Sequence, residues 1–123
     1  DLFGEDMVDS VVGAQAATML ANVSNLAWFG PRLVQDQHLQ FSQMRALEFE
    51  RPVIRSTNTG ATAVVDHLGR VTSRLPPLVE GTLDANVEGR SGETPYARWL
   101  AAAGLWPLAI VALVLLALLR RRS

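Results

Sequence analysis

The 123-residue sequence predicts an α/β or α+β body followed by a single membrane-spanning helix. The body is predicted from the order of hydropathy patterns over residues 1–98, which read helix, strand, helix and then several short strands. The membrane helix is predicted from residues 99–119, which contain no charged side chain. As a helix this run would measure about 31 Å and match the ~30 Å hydrocarbon core of a bilayer.

The first half of the body begins with valines and alanines at mixed helical spacing, which predict a short helix over residues 5–17. A compact apolar run predicts a strand over residues 18–24. Residues 25–31 end in Gly-Pro and predict a turn. Asp36 is a suitable helix cap, and the helix that it begins is expected to end near Glu50 because a proline follows at position 52.

The second half of the body predicts a meander of strands. Strand-like runs cover residues 53–58, 61–66, 71–75 and 82–87, and they are separated by glycine-containing or proline-containing turns. We therefore expect a folded domain over residues 1–92, a juxtamembrane linker over 93–98, the membrane helix over 99–119 and a basic tail over 120–123.

Composition excludes several classes of function. Residues 1–98 carry 8 Arg, no Lys and 12 acidic residues, so this mildly acidic body is not expected to bind nucleic acid. The sequence has no Cys and only two His, which are not spaced as a helical pair, so neither a disulfide nor a metal site is expected. No cofactor is predicted.

The charges beside the apolar run predict its orientation. Tyr96 and Trp99 stand at one end as interfacial aromatics, and three consecutive arginines at 120–122 stand at the other end, which favours a cytoplasmic C-terminus. Residues 1–98 would then lie outside, yet the first residues show no export signal. We therefore expect a C-terminal piece of a longer protein; the alternative is a tail-anchored protein with a cytoplasmic body.

Several motifs carry a family resemblance. They are Ser24-Asn-Leu-Ala-Trp-Phe-Gly30, Gln37-His38, Met44-Arg-Ala-Leu-Glu48, Arg51-Pro52, Arg55-Ser-Thr-Asn-Thr-Gly60 and Asp66-His-Leu-Gly69. In this order they resemble the carbon–nitrogen hydrolase (nitrilase) superfamily. Thr94-Pro-Tyr-Ala-Arg98 and the terminal apolar helix are similar to its apolipoprotein N-acyltransferase branch in particular.

The resemblance implies the C-terminal part of an αββα sandwich on the periplasmic face of a bacterial inner membrane. It also implies an acyltransferase whose partners are a phospholipid acyl donor, diacylated lipoproteins and the membrane. The acyl group would pass through a cysteine thioester to the amine of a lipoprotein's N-terminal diacylglyceryl-cysteine. That family uses a Glu, a Lys and a Cys, and this chain lacks both Cys and Lys. No catalytic residue is carried over, and the chain alone is expected to be inactive.

Two groups of residues are candidates for a supporting role. Asn25, Trp28 and Phe29 lie in the turn after the first predicted strand, where they either pack under the turn or form a loop of the substrate pocket. Arg45 and Glu48 lie three residues apart on the long helix. They are either a solvated pair or a partly buried pair that supports the site, and we favour structural support.

Two rival functions stay open at the level of sequence. A membrane-anchored amidase of the same superfamily would transfer its acyl group to water instead of an amine. A non-catalytic, single-span anchored module would need no thiol at all.

Overall fold

The computed structural model describes residues 4–25, 27–29, 33–76 and 78–122. Four helices, one 3-10 turn and four strands form the described chain: α1 (Val8–Val11), β1 (Leu20–Ser24), a 3-10 turn (Ala27–Phe29), α2 (Leu33–Phe49), β2 (Val53–Thr57), β3 (Ala63–Val65), β4 (Val71–Arg74), α3 (Pro95–Ala103) and α4 (Trp106–Arg122). A mixed α/β architecture is therefore confirmed.

The four strands form one sheet in the order β1-β2-β3-β4. β1 and β2 run parallel, with Leu20 opposite Val53 and Ser24 opposite Thr57, and α2 is the crossover between them. The remaining pairs are antiparallel, and β3 contains an irregularity at Val64 and Val65. The parallel pair matters for function because it brings the carboxyl ends of two strands to one edge of the sheet.

The core lies between one face of the sheet and helices α1, α2 and α3. Its buried members are Val8, Val11, Leu20, Leu39, Ala46, Phe49, Val53, Ala61, Ala63, Val65, Ala97 and Leu100. The described residues leave much of the opposite face of β1 and β2 open, since Val23 is 85% exposed and Ile54 is 36% exposed.

Two predictions for the body were wrong: one helix is shorter than predicted, and one predicted strand is not formed. The helix expected over residues 5–17 is reduced to α1, because Val12 is extended and Gly13 has a φ of +94°, which a right-handed helix does not allow. The strand expected over residues 82–87 is not paired in the described chain. Its alternation reflects a loop in which Leu83 and Val87 are half-buried while their neighbours are exposed.

The long helix begins earlier than expected and ends as expected. α2 starts at Leu33, upstream of Asp36, so Asp36 lies in its first turn instead of capping it. It ends at Phe49, and Glu50 takes a left-handed conformation with φ of +51° before Arg51 and the helix-terminating proline.

The membrane helix predicted over residues 99–119 is not observed as a single helix. The chain forms α3 and α4, which are bent by 76° relative to each other. The break lies at Gly104, whose φ of +56° and ψ of −145° end α3, and Pro107 sits in the first turn of α4, where its missing N–H costs little. Among the described residues no single helix meets the length and hydropathy needed to cross a bilayer, and the bent pair meets them together.

α3 also belongs to the core of the body instead of forming only a linker and the start of a membrane span. Thr94 caps its first turn by accepting from the Ala97 N–H (3.1 Å), and Pro95 occupies the first helical position. Tyr96 packs between Phe49 and Trp99, with ring centroids 6.1 Å apart in both pairs. The two aromatics that were expected at a membrane interface therefore contact the folded body.

Candidate functional site

An open groove lies at the carboxyl ends of the two parallel strands. It has a volume of about 510 Å³ and is lined by Val23, Ser24, Asn25, Ser56, Thr57 and Asn58. Because Ser24 pairs with Thr57, the residues that follow the two strands, Asn25 and Asn58, lie side by side. Ligands of α/β sheets bind outside the carboxyl ends of parallel strands, so this edge is the candidate substrate site.

The two asparagine side chains at this edge are hydrogen-bonded to each other. Asn25 Oδ1 accepts from Asn58 Nδ2 (2.8 Å) and from the backbone N–H of Ala27 (3.1 Å). Asn58 Oδ1 in turn accepts from the backbone N–H of Thr59 (3.0 Å). These bonds fix the loop after β1 relative to the loop after β2.

Trp28 lies in the 3-10 turn that follows Asn25, and its side chain is 85% exposed. Packing of this indole under the turn is therefore not observed in the described chain. Trp28 is not one of the groove's lining residues, and its part in a pocket stays a prediction. The side chain of Phe29, together with the predicted turn residues Gly30 and Pro31, lies outside the described part of the structure.

Arg45 and Glu48 contact each other on α2. Arg45 Nη1 lies 2.7 Å from Glu48 Oε2, and the side chains are 7% and 23% exposed, respectively. The backbone of Gly4 packs against this pair so closely that an added Cβ would overlap the Arg45 guanidinium and lie 3.2 Å from Tyr96 Oη. The ion pair thus sits where the N-terminal segment, α2 and α3 meet. Its structural role stays a prediction.

Burial dominates the electrostatics of this cluster. Loss of solvent raises the pKa of the Glu48 carboxyl above its ordinary value, with Glu5 acting in the same direction and the adjacent Arg45 opposing it. Burial likewise raises the pKa of the Tyr96 hydroxyl, and the negative charge of Glu48 adds to the effect. The charged form of Glu48 is therefore held at a cost in desolvation that its ion pair does not fully offset.

The two predicted groups of residues are not brought together. A cavity of about 140 Å³ beside Arg45 is bordered by Leu20 and Val53, which begin β1 and β2, whereas the groove with Asn25 lies where these strands end. The cavity extends along β1 as far as Asn22, and the groove begins at Val23, so the two are lined by successive parts of the same strand. No contact between the ion pair and the groove is observed among the described side chains, and structural support by Arg45 and Glu48 stays a prediction.

Sequence reasoning missed two buried arginines. Arg51 is 1% exposed, and its guanidinium donates to the backbone carbonyls of Val11, Ala17, Phe49, Glu50 and Gly92. Arg55, also 1% exposed, donates from Nη1 to the His38 carbonyl and to Ser42 Oγ, both at 3.0 Å, and burial lowers its pKa. A signal for Arg55 existed, because it shares the inward face of β2 with Val53.

Asn58 was also missed as a site residue. It was quoted only as part of a motif, although it follows β2 directly and β2 is the parallel neighbour of the strand that ends at Asn25. Asn58 could therefore be recognised as a site residue only once the pairing of β1 with β2 was known. Across the ranges that the structure describes, no three His, Asp or Glu side chains converge to hold a metal ion.

Comparison with known proteins identifies relatives along the whole chain. The family model for carbon–nitrogen hydrolases matches residues 2–96. A protein of Ralstonia nicotianae named apolipoprotein N-acyltransferase is 55% identical over 123 residues, which cover 99% of this chain and 23% of that protein. Proteins of the same name from Verminephrobacter eiseniae and Neisseria meningitidis serogroup B are 50% and 41% identical, covering 85% and 96% of this chain and 21% and 22% of their own lengths. The chain thus spans less than a quarter of the length of these curated relatives.

Proposed function

This chain belongs to the carbon–nitrogen hydrolase family, and we propose that it is part of an apolipoprotein N-acyltransferase. Such an enzyme moves a fatty acyl group from a phospholipid to the N-terminal amine of a diacylated lipoprotein. The observation that carries the proposal is the 55% identity over 99% of this chain to a protein of that name. The matched region, at 99% of this chain, spans the segments that form the groove and the apolar C-terminal helices as well as the family motifs.

The proposed fold of the whole domain is an αββα sandwich. The described chain supplies one sheet with helices on one face, and Val23 and Ile54 are exposed on the other. In a sandwich, a second sheet packs about 10 Å away and covers such apolar side chains. The open face supports this arrangement, in which the second sheet would come from the part of the protein that this chain does not include.

The proposed chemistry assigns binding and support to this chain. A cysteine thiolate outside this sequence attacks the ester carbonyl of the phospholipid, a thioester forms, and the lysophospholipid leaves with a proton. The lipoprotein amine then attacks the thioester carbonyl and gives up a proton; the C–N bond of the amide forms, the C–S bond breaks and the cysteine thiolate is released. Asn25 lines the groove at the carboxyl edge of the sheet, and the exposed Trp28 follows it in the 3-10 turn; in this proposal both contact the acyl group or the incoming lipid-modified amine.

The proposed location is a bacterial inner membrane, with the body in the periplasm. α4 is apolar from Trp106 to Leu119 and ends in three arginines, which the positive-inside tendency places in the cytoplasm. α3 lies against the body, so the bend at Gly104 would mark the place where the chain passes from the body to the bilayer.

The proposed function is tested by replacing the matching segment of the Ralstonia nicotianae relative with this chain. We expect this chimera to support growth of a bacterium depleted of its own N-acyltransferase and to convert diacylated lipoproteins to triacylated ones, measured by mass spectrometry. This chain expressed alone is the matched negative control, because it has no Cys to form the thioester.

A different activity would give a different result in the same assay. A folded chimera that forms the thioester but releases free fatty acid, with no N-acylated product, would instead indicate an amidase-like hydrolase. A folded chimera that forms no thioester would contradict any acyl transfer and favour an anchored, non-catalytic module.

A further inference from the structure

The orientation of the Asn25 carboxamide is determined by its hydrogen bonds. A backbone N–H only donates, so the atom that receives the Ala27 N–H must be Oδ1. The same reasoning applies at Asn58, whose oxygen receives the Thr59 N–H and whose Nδ2 is therefore left to face Asn25. Two backbone donors thus fix the direction of both amides.

In this arrangement Asn25 Oδ1 is fully hydrogen-bonded, whereas Asn25 Nδ2 is available to donate. Oδ1 already accepts two hydrogen bonds, which is its full capacity of two lone pairs. Among the residues that the structure describes, none accepts a hydrogen bond from Asn25 Nδ2. The side chain lines the groove at the carboxyl ends of β1 and β2, so it offers two oriented N–H donors there.

We propose that Asn25 Nδ2 donates a hydrogen bond to an oxygen atom of the lipid substrate in this groove, and that Asn58 is the positioning residue that holds the Asn25 amide in the donating orientation. The inference rests on the proposed acyltransferase function, which defines the substrates. The oxygen belongs to the phospholipid ester or phosphate, to the lipid-modified amine substrate, or to the acyl carbonyl that both steps share. A donor that is held in place before the substrate arrives loses little entropy on binding.

The Asn25→Asp variant removes the hydrogen-bond donor of this side chain and keeps its acceptor role in the loop. An aspartate has nearly the same shape and its carboxylate accepts from Ala27 N–H and Asn58 Nδ2 as well as the amide does, but it has no proton to donate. In the active chimera we expect an unchanged melting temperature and a loss of about tenfold or more in kcat/KM for at least one half-reaction. Asn86→Asp, at an exposed asparagine beside a different groove, is the matched control for the added charge and should keep wild-type rates.

The two half-reactions are measured separately to identify the oxygen. Slower thioester formation alone assigns it to the phospholipid, and slower acylation of a diacylated lipopeptide alone assigns it to the amine substrate. Slowing of both steps assigns it to the acyl carbonyl. Wild-type rates in both steps for Asn25→Asp would overturn the inference, and so would a melting temperature lowered enough to account for the loss of activity.

Asn58→Asp tests the positioning role. Its carboxylate still accepts from Thr59 N–H, but it cannot donate to Asn25 Oδ1 and instead attracts Nδ2, so it pulls the Asn25 amide away from the substrate. With rates expressed per amount of folded enzyme, we expect the same step or steps to slow as in Asn25→Asp, whereas a purely structural defect would lower the amount of folded enzyme and leave these normalised rates unchanged. An Asn58→Asp variant with normal rates would show that Asn58 does not position Asn25. An inactive wild-type chimera would contradict the proposed function itself, which keeps the two failures distinct.

Discussion

Trp28 lies in the 3-10 turn three residues after Asn25, and 85% of its side chain is exposed. Because of this exposure, a role in stability and a role in substrate binding predict different effects of truncation. Truncation of a core aromatic costs about 3–5 kcal/mol, but an exposed indole has little burial to lose. We therefore expect Trp28→Ala in the chimera to melt within a few degrees of the parent and to slow at least one half-reaction. Phe49→Ala, at a residue that is 1% exposed, is the control that should lower the melting temperature strongly. Normal rates in both steps for Trp28→Ala would remove Trp28 from the site.

Glu48 predicts a specific dependence of stability on pH. Its pKa is raised in the folded protein, mainly by burial, so the folded state holds the proton more tightly than the unfolded state, where the pKa is about 4.3. The protonated Glu48 carboxyl therefore stabilises the folded state fully below this unfolded-state pKa, and that contribution is lost as the pH rises through the folded-state pKa. We expect parent chimera to lose stability relative to Glu48→Gln on going from about pH 4 to neutral pH.

The measurement for Glu48 is the melting temperature of both proteins over that pH interval. Glu80→Gln, at an exposed carboxylate on the loop after β4, is the matched control for removal of one negative charge. If the difference between parent and Glu48→Gln stays constant with pH, then Arg45 compensates fully for the burial of the carboxylate.

At the level of single residues, the sequence predicted which side chains contact each other along a helix better than it predicted which polar side chains are buried. The three-residue spacing of Arg45 and Glu48 predicts contact on any helix, and the two side chains do meet at 2.7 Å. Spacing gave no indication of Arg51, whose carbonyl partners come from segments as far away as Val11 and Gly92. The acceptors of a buried guanidinium are set by tertiary structure, which local pattern does not contain.

Among the elements, Arg51 joins three segments of the body. Its Nε donates to Ala17 O and its Nη2 to Gly92 O, both at 2.7 Å, which ties the turn before β1 and the loop before α3 to the junction of α2 and β2. Arg51→Met keeps an apolar stem but leaves these carbonyls unsatisfied, and we expect a loss of more than about 2 kcal/mol in the free energy of unfolding.

Urea denaturation of the chimera measures this loss. Arg74→Met is the matched control, because Arg74 pairs at 3.1 Å with Asp36 at the surface, and such pairs contribute at most about 1 kcal/mol. Equal losses for the two substitutions would show that the carbonyls around Arg51 find other donors.

The bend between α3 and α4 depends on Gly104. Its φ of +56° and ψ of −145° lie in a region that is essentially restricted to glycine, so a Cβ there is strained even though it would meet no neighbouring atom. We expect Gly104→Ala to favour a straighter, continuous helix. Spin labels at positions 98 and 114 should then lie about 24 Å apart along the axis, compared with about 19 Å for the bent pair. Equal distances in parent and variant would show that packing of α3 on the body, and not the glycine, sets the bend.

At the scale of helices and strands, the sequence predicted features that depend on neighbouring residues along the chain better than features that depend on distant ones. Periodicity located α2 and the three paired strands after it to within a few residues, because alternation and helical spacing are local. It failed where a single backbone conformation decides the outcome, as at Gly13, which shortens α1, and at Gly104, which divides the apolar run. The strand predicted over residues 82–87 was wrong for another reason: alternation does not specify a pairing partner, and these residues pair with no strand of the described sheet.

For the whole molecule, the family resemblance predicted more than periodicity. Hydropathy alone left α/β and α+β open, whereas the ordered motifs indicated the family whose model matches residues 2–96. The Asn25 to Asn58 contact required the pairing of β1 with β2, which no pattern in the sequence specifies. Hydropathy identified the long apolar run but not its division into two helices that are bent by 76°.

The topology of the whole protein can be tested at its C-terminus. If the body is periplasmic, α4 must carry Arg120, Arg121 and Arg122 to the cytoplasmic side, where positive charge next to an apolar helix is favoured. A reporter that works only in the cytoplasm, fused after residue 123 of the chimera, should then be active, and one that works only in the periplasm should be silent. Replacement of the three arginines by alanine is the matched variant and should weaken this preference without altering the body, since α4 makes few contacts with it. A periplasmic signal from the parent fusion would refute both the orientation and the proposal that α4 crosses the bilayer, because a bent pair that re-enters the same side returns its end to the periplasm.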